Sequence, residues 1–176
     1  MRAAAFLLAA LLPLGTVAQE APPEVAPEAD PWQAEQAPAA SYGWMERVRI
    51  ETLTRYFELE AKLDTGADSS SLHATDIEIF EREGQNWLRF TAQDQRLEQP
   101  IARRVRIKQK NGQPAQERWV VRLDLCIGQV FIPADFSLVD RSDFSTPVLL
   151  GRDVLQHLGP VDPELKFTAE PKCPRQ

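Results

Sequence analysis

The tripeptide Asp64-Thr65-Gly66 has the residue types of a catalytic loop. It follows the mostly apolar segment Ala61-Lys62-Leu63, so the pattern predicts a strand that ends in a tight turn with the carboxylate on it. A single carboxylate cannot both deprotonate a water molecule and polarise an amide carbonyl. Two carboxylates about 3 Å apart can do both, because they cannot both ionise and therefore share one proton.

The second carboxylate must come from a second copy, since the chain contains no other Asp-Thr-Gly and no Asp-Ser-Gly. A two-fold axis between two Asp64 side chains would bring identical loops face to face. Gly66 permits close backbone approach in such a loop, and Thr65 could hydrogen-bond across the axis. We therefore expect a symmetric homodimer whose formation is a condition of catalysis.

The first eighteen residues are typical of a secretory signal peptide. Arg2 precedes an apolar run from Ala3 to Leu14, and Thr16-Val17-Ala18 supplies the small residues of a cleavage site. The run is too short for a membrane anchor, which needs about 20 apolar residues. The sequence predicts a signal peptide at 1–18, export to the periplasm or beyond, and no membrane span in the mature chain.

Residues 19–41 combine Pro, Ala and Glu and carry acidic but no basic side chains. Such a segment cannot bury a core and is predicted to be a disordered linker. The predicted folded domain covers 42–170, followed by a tail at 171–176. From Tyr42 onward, 19 basic and 21 acidic side chains nearly balance, and the absence of a basic field argues against nucleic-acid binding.

Short runs rich in β-branched and aromatic residues predict a small, mostly antiparallel β fold. The predicted strands are 47–52, 56–63, 76–80, 87–91, 101–110, 118–126, 130–132, 136–139 and 148–150. One short helix is predicted at 152–158, because it follows Gly151 and stops at Gly159-Pro160.

The dipeptide Asn111-Gly112 favours a type I′ hairpin turn, since both residues tolerate positive φ. It lies between the two segments that flank the candidate site, so this hairpin is our candidate for a flap over the substrate. Five bases lie between Arg103 and Lys110. The simpler interpretation is a solvated strand face that discourages edge pairing, and the alternative is a flap that attracts an anionic substrate.

Cys126 and Cys173 are the only cysteines. In an exported chain a disulfide between them and two free thiols are both compatible with the sequence. Alternation along 119–126 places Cys126 on the polar face of its strand, where we expect it to be accessible. Two cysteines are too few for a Cys-rich structural zinc site.

The residues around Asp64 resemble the retropepsin family of aspartic peptidases. The similarity lies in Ala61 to Asp68 and in Val148 to Asp153. It implies a mainly β, small closed barrel or sandwich with one short C-terminal helix, active as a symmetric homodimer. It also implies that Asp64 is catalytic, supported by Thr65, Gly66 and Ala67, that Leu149-Leu150-Gly151 pack beneath the loop, and that Arg152 pairs with Asp68.

The similarity is closer to the bacterial retropepsin-like group historically labelled "ATP-dependent zinc protease". It extends from about Tyr42 to Phe167 and includes the segments 43–46, 71–74, 147–152 and 161–163. Members commonly carry a basic residue where this chain has Asp68. One cytosolic branch is associated with enzymes that add glutamate to proteins and is implied to trim such tails, a task that an exported member need not share.

The zinc label does not agree with the residue types. A catalytic zinc usually takes three protein ligands and a His-Glu-x-x-His motif, whereas His73 and His157, the only histidines, belong to no such motif. We expect His73 to be packed or hydrogen-bonded. The chain also lacks a Gly-x-x-x-x-Gly-Lys-Ser/Thr loop, and Ser69-Ser70-Ser71 lacks a nucleophile elbow and is expected to form loop hydrogen bonds. We predict no metal and no cofactor.

The sequence thus predicts an exported aspartic endopeptidase that hydrolyses peptide or isopeptide-like amide bonds in a peptide or protein substrate. One alternative is a catalytically silent module of the same fold that binds peptides in the cell envelope. A second alternative is a zinc metallopeptidase.

Overall fold

The structure is a computed structural model that describes residues 41–107 and 115–174. Its strands are β1 Tyr42–Glu51, β2 Tyr56–Leu63, β3 Ser70–His73, β4 Thr75–Arg82, β5 Gln85–Ala92, β6 Gln95–Ile107, β7 Gln116–Ile127, β8 Val130–Val139, β9 Val148–Leu150 and β10 Val161–Lys166, and its helix is α1 Arg152–Leu155. The predicted mainly β class with one short helix is confirmed.

Alternation of apolar and polar side chains gives the strands one buried face. In β2, Phe57, Leu59, Ala61 and Leu63 are buried, whereas the residues between them reach the surface. This period of two is the pattern of a strand with one face on the core. Burying each large apolar side chain stabilises the fold by about 1.5–3 kcal/mol.

Six strands close into a barrel in the order β1-β2-β9-β3-β8-β7, because β7 also pairs with β1. Three pairs are parallel, namely β1 with β10, β2 with β9 and β3 with β8. Strand β9 lies between β2 and β3. The chain that joins β2 to β3 therefore crosses the end of β9, and Asp64 lies on this connection.

Strands β6, β5 and β4 extend the sheet outward from β7. One face of this extension packs on the core through the buried Leu88, Phe90 and Leu97. Within the described ranges, no helix has both the length and the apolar character required to cross a bilayer.

The prediction of separate strands at 130–132 and 136–139 was wrong. Strand β8 is continuous, and Pro133 lies opposite Asp124 of β7. On its other side β8 pairs with β3 only from Phe136 onward. Pro133 therefore lies where β8 is an edge strand, and an edge tolerates a residue without a backbone N–H.

Two strands were not predicted. Strand β3 begins with Ser70 and Ser71, a polar start that lacks the signature of a strand, yet both serines are buried. Strand β10 contains Pro163 and runs parallel to β1. The predicted helix at 152–158 was too long, since the N–H groups of His157 and Leu158 bond three residues back rather than four and form a tightened last turn.

Glu46 of β1 binds the C-terminal segment. Its side chain is fully buried and accepts the backbone N–H groups of Gly43 at 2.6 Å, Thr168 at 3.0 Å and Ala169 at 3.0 Å. The Thr168 hydroxyl donates a fourth hydrogen bond at 2.5 Å. These donors satisfy a carboxylate that would otherwise be costly to bury.

A disulfide between Cys126 and Cys173 continues this attachment, and the buried Arg49 donates to the Cys173 carbonyl at 2.9 Å. We call the contacts of Glu46, Arg49 and Cys126 with 168–173 the C-terminal clasp. The expectation that Cys126 is accessible was wrong, because it is 0% exposed. Alternation points it outward from β7 as predicted, but the C-terminal segment covers that face.

Candidate active site

Asp64 lies on a turn that is fixed by backbone hydrogen bonds. Its N–H donates to the Leu150 carbonyl of β9 at 2.9 Å, and its carbonyl accepts the Ala67 N–H at 3.1 Å. The Gly66 N–H donates to the Asp64 Oδ1 at 3.0 Å. The side chain is 27% exposed, so a rigid backbone presents the carboxylate to solvent.

Lys62 supplies the charge next to this carboxylate. Its Nζ lies 3.1 Å from the Asp64 Oδ2. The Lys62 ammonium lowers the pKa of Asp64 below its usual range, and the N–H groups of Gly66 and Ala67 lower it further. The sequence analysis missed this role of Lys62. Residues two apart on a strand share a face, so the spacing of Lys62 and Asp64 could have indicated the contact.

Strand β9, which contains Leu149 and Leu150 and precedes Gly151, lies beside β2, the strand that leads into the turn. Leu149 pairs with Lys62 and Leu150 with Leu63. A Cβ at Gly151 would lie 2.7–2.8 Å from the backbone of Ser69, which is closer than side chains pack. Gly151 is therefore needed for close approach of the two segments.

Asp68 and Arg152 form an ion pair. Arg152 also donates to the Thr65 carbonyl at 2.9 Å, and its N–H donates to the Ala67 carbonyl at 2.9 Å. Both partner side chains are exposed, so the pair adds little stability, and its effect is to tie the turn to α1. Because Asp68 is engaged by Arg152, it is poorly placed to act as a second acid beside Asp64.

Ser70 was expected in a loop but belongs to β3. Its hydroxyl donates to the Asp153 Oδ1 at 2.8 Å and accepts the Gly151 N–H at 3.0 Å. The Ser70 N–H donates to the Asp153 Oδ2 at 3.1 Å. The expected hydrogen bonding of this serine is thus present, and it joins β3 to the start of α1.

His73, the last residue of β3, and Arg141 form a second hydrogen-bonded group. The His73 Nδ1 accepts the Arg141 N–H at 2.8 Å, so its proton is on Nε2 when the ring is neutral. The buried Arg141 donates to the Ser71 hydroxyl at 2.9 Å and to the Thr146 carbonyl at 3.1 Å. Sequence reasoning missed Arg141, because its side-chain acceptor Ser71 lies 70 positions away along the chain.

No three His, Cys, Asp or Glu side chains in the described parts of the chain are close enough to hold one metal ion together. A cavity of about 470 Å³ lies beside the C-terminal clasp. Its lining residues include Tyr42, Val130 and Leu158 but not Asp64. In a single chain Asp64 therefore lies on the surface rather than in that cavity.

The flap candidate Asn111-Gly112 lies outside the described residues, although its two arms, β6 and β7, pair as predicted up to Ile107 and Gln116. Two of the bases on the first arm pair with acids on β7 and on β8, the next strand beyond it. Arg103 bonds Asp135 at 3.2 Å and Arg104 bonds Glu117 at 3.1 Å. These pairs agree with the simpler interpretation of a solvated strand face.

The chain matches the family model of RimB-like proteins, described as the retropepsin-like aspartic endopeptidase RimB, over residues 41–172. A solved structure from Legionella pneumophila, Lpg0085, described as a protein of unknown function, is also similar. It is 36% identical with a TM-score of 0.62, and the match covers 74% of this chain and 98% of that one.

Curated relatives carry a different name. A probable alpha-L-glutamate ligase of Shewanella pealeana is 30% identical over 62% of this chain, and one of Desulfotalea psychrophila is 28% identical over 61%. The matched segment is 25% of each ligase. The chain thus spans about a quarter of the length of these relatives.

Proposed function

Since the chain belongs to the RimB-like family of retropepsin-like aspartic endopeptidases, we propose that it is an aspartic peptidase that acts as a homodimer. The observation that carries this proposal is the Asp64 turn. It holds an exposed carboxylate by the backbone of Gly66 and Leu150, which is the preorganised geometry that proton transfer requires.

In the proposed reaction one ionised Asp64 takes a proton from water while the water oxygen attacks the amide carbon. The partner's Asp64, which carries the shared proton, donates it to the carbonyl oxygen. As the C–N bond breaks, the nitrogen takes the proton that the first Asp64 received from water. One hydroxyl of the tetrahedral intermediate returns its proton to the partner's Asp64, which restores the shared proton. The products are a carboxylic acid and an amine, and the substrate bond is a peptide or isopeptide-like amide.

Export and substrate class belong to the same proposal. The Cys126–Cys173 disulfide supports an oxidising compartment such as the periplasm, where disulfides persist. The relatives named probable alpha-L-glutamate ligases make glutamyl peptides the first substrates to test. Because the chain covers only a quarter of those proteins, the ligase activity is not transferred to it.

A silent peptide-binding module is the second candidate, and Lys62 favours it. Its ammonium lies 3.1 Å from the Asp64 Oδ2 and favours the ionised carboxylate, whereas the proposed reaction needs one proton on the pair. The two candidate functions predict different effects of Asp64→Asn: a peptidase should lose hydrolysis, whereas a binding module should lose little.

The test is cleavage profiling of a proteome digest and of glutamyl peptides with the exported chain and its Asp64→Asn variant, from mildly acid to neutral pH. We expect products that depend on Asp64, and a dimer in sedimentation for both proteins. Identical product sets would favour the silent module. A fully active monomer would contradict the shared-proton mechanism.

A further inference from the structure

Strand β4 is one end of the sheet, and β10 is the other. Within the described residues β4 pairs with β5 alone, so the second edge of its backbone has no neighbouring strand. Strand β10 contains Pro163, which lacks a backbone N–H, whereas no proline lies in β4. Of the two end strands, β4 is therefore the one that keeps every backbone donor for a further strand.

The hairpin turn after β4 determines which backbone groups face this edge. Glu83 and Gly84 have positive φ, 53° and 76°, as a two-residue type I′ turn requires. Arg82, the residue before the turn, therefore belongs to the closing hydrogen-bonded pair. Hydrogen-bonded and non-hydrogen-bonded pairs alternate along an antiparallel ladder, so the N–H and C=O groups of Ile79 and Glu81 point away from β5. We call these outward groups the β4 edge.

The apolar face of the sheet extension ends at β4 without a cover. Ile79 is 53% exposed, although Leu88, its neighbour across the ladder, is fully buried. A β-branched side chain on a strand opposite Ile79 would bury this surface, and such cross-strand pairs stabilise sheets. The β4 edge therefore lacks both hydrogen-bond partners and apolar cover within the described part of the chain.

The charge of β4 is negative. The strand carries one arginine and three acids, which are Asp76, Glu78 and Glu81. Arg82 is paired with Glu98 of β6, and Glu78 is paired with arginines of β5 and β6. Glu81 is exposed and forms no ion pair with any described residue. It shares the face of Ile79, since the two residues are two apart on the strand.

A cavity of about 330 Å³ adjoins the start of β4, on the other side of Ile79 from Glu81. Ile77, Trp119 and Leu138 form the apolar part of its lining. The charged part contains more acids than bases, namely Asp76, Glu117, Asp140 and Arg118. A basic side chain fits such a lining, because its apolar stem can pack while its charged end stays near the acids.

We propose that the β4 edge binds an extended segment of a partner protein in which a β-branched residue lies between two basic residues, each two positions away. The segment adds to the sheet as a further strand and bonds to the backbone groups of Ile79 and Glu81. Because residues two apart share a face, the β-branched side chain covers Ile79 while one basic residue faces Glu81 and the other faces the cavity. Charge spacing thus selects the partner, and no hydrolysis is involved.

The test uses the full chain with Asp64→Asn, so that turnover cannot remove the probe, and fluorescence anisotropy of the labelled peptide Thr-Lys-Thr-Val-Thr-Lys-Thr. We expect binding that weakens as salt is added. A peptide with Glu in place of both lysines, and a peptide methylated on every backbone nitrogen, should each bind at least about tenfold more weakly. Equal binding of either peptide would overturn the proposal, because one lacks the charge match and the other lacks the strand hydrogen bonds.

Amide hydrogen exchange locates the bound strand. Saturating peptide should slow exchange at the Ile79 and Glu81 amides by about tenfold or more, whereas the Phe80 amide, which faces β5, should change little. Protection confined to β10 would overturn the proposal. Protection of Ile79 and Glu81 that rises with protein concentration in the absence of peptide would assign the edge to a second copy of this chain, which would also overturn it.

Two substitutions separate the backbone from the charge. Ile79→Pro removes an outward N–H without removing a hydrogen bond to β5 and should weaken binding at least about tenfold. Glu81→Gln should weaken it about threefold. The matched control is Glu58→Gln, an equal charge change on the exposed face of β2, which should leave binding within about twofold. Equal losses in Glu81→Gln and Glu58→Gln would mean that only net charge matters and would overturn the proposal.

Thermal melting checks that each variant folds. If Ile79→Pro melts early, the methylated peptide tests the same hydrogen bonds on the unchanged strand. Since every protein in the test carries Asp64→Asn, the result is independent of the proposed peptidase activity.

Discussion

The Asp64 turn and the C-terminal clasp each depend on one central carboxylate, Asp64 in the turn and Glu46 in the clasp, and the surroundings of these two carboxylates differ. Asp64 is 27% exposed, and its carboxylate accepts hydrogen bonds from the Gly66 N–H and the Lys62 ammonium. Glu46 is 0% exposed and receives three backbone N–H groups and a hydroxyl, with no cation among these donors. Both belong to the same small barrel, so the difference is local.

An ionised carboxylate can accept about four hydrogen bonds. Glu46 has its acceptor sites filled by protein groups, which makes it a structural crosslink between β1 and the C-terminal segment. Asp64 keeps acceptor sites open to solvent, where a water molecule can bind and lose a proton. The number of filled sites thus distinguishes a carboxylate that holds the fold from one that is available for chemistry.

Changing Asp64 to Asn should have the largest effect on activity and almost none on the fold. Loss of the proton acceptor should lower kcat by about 10⁴-fold. The free energy of unfolding should stay within about 0.5 kcal/mol, because the site is exposed. Steady-state kinetics and urea denaturation measure the two quantities. A large loss of stability would mean that Asp64, like Glu46, is part of the scaffold.

Removing the disulfide with Cys126→Ala and Cys173→Ala should have the largest effect on the clasp. The bond closes a loop with a sequence separation of 47, so the chain-entropy account gives a loss of about 4 kcal/mol. The folded fraction should keep its kcat, because the clasp does not touch the Asp64 turn. Urea denaturation of the double variant and of the parent protein, with and without reductant, measures the loss. The reduced parent should be destabilised by the same amount as the double variant.

Glu46→Gln matches Asp64→Asn in chemistry and should give the opposite result. Three of the four donors bind Oε1, and the amide NH₂ in place of Oε2 would face the Ala169 N–H. That buried donor would lose its acceptor, at a cost of about 1–3 kcal/mol. Activity per folded molecule should be unchanged. Urea denaturation and active-site titration check this, and Glu58→Gln, an exposed change on β2, is the control. A Glu46→Gln protein as stable as its parent would refute the structural role given to this carboxylate.

The sequence predicted the Asp64 turn because its determinants are local. Asp64, Gly66 and the strand before them lie within a few residues, and the same holds for the segment that ends at Gly151. Glu46 was not recognised because its donors at Thr168 and Ala169 lie more than a hundred positions away. Cys126 was misplaced for the same reason, since alternation along one strand does not report which segment covers it.

The change with the smallest expected effect removes the ion pair between Lys62 and Asp64, which distinguishes the Asp64 carboxylate from that of Glu46. Because Lys62 lowers the pKa of Asp64, Lys62→Met should raise it. The acid limb of the pH–rate profile reports ionisation of the first carboxyl, and the alkaline limb reports loss of the shared proton. Both limbs should therefore move to higher pH.

Lys166→Met is the matched control for this shift. Lys166 lies on β10 and covers the Trp44 ring at 4.4 Å, so its loss removes an equal charge without removing a partner of Asp64. Its pH–rate profile should coincide with that of the parent. Equal shifts in both variants would reflect the net charge of the protein, whereas a shift confined to Lys62→Met would show that this lysine acts on the acidic pair itself. If neither limb of the pH–rate profile moves in Lys62→Met, the ion pair between Lys62 and Asp64 does not exist in the active dimer. Each Asp64 would then contact the partner's Asp64 instead of Lys62.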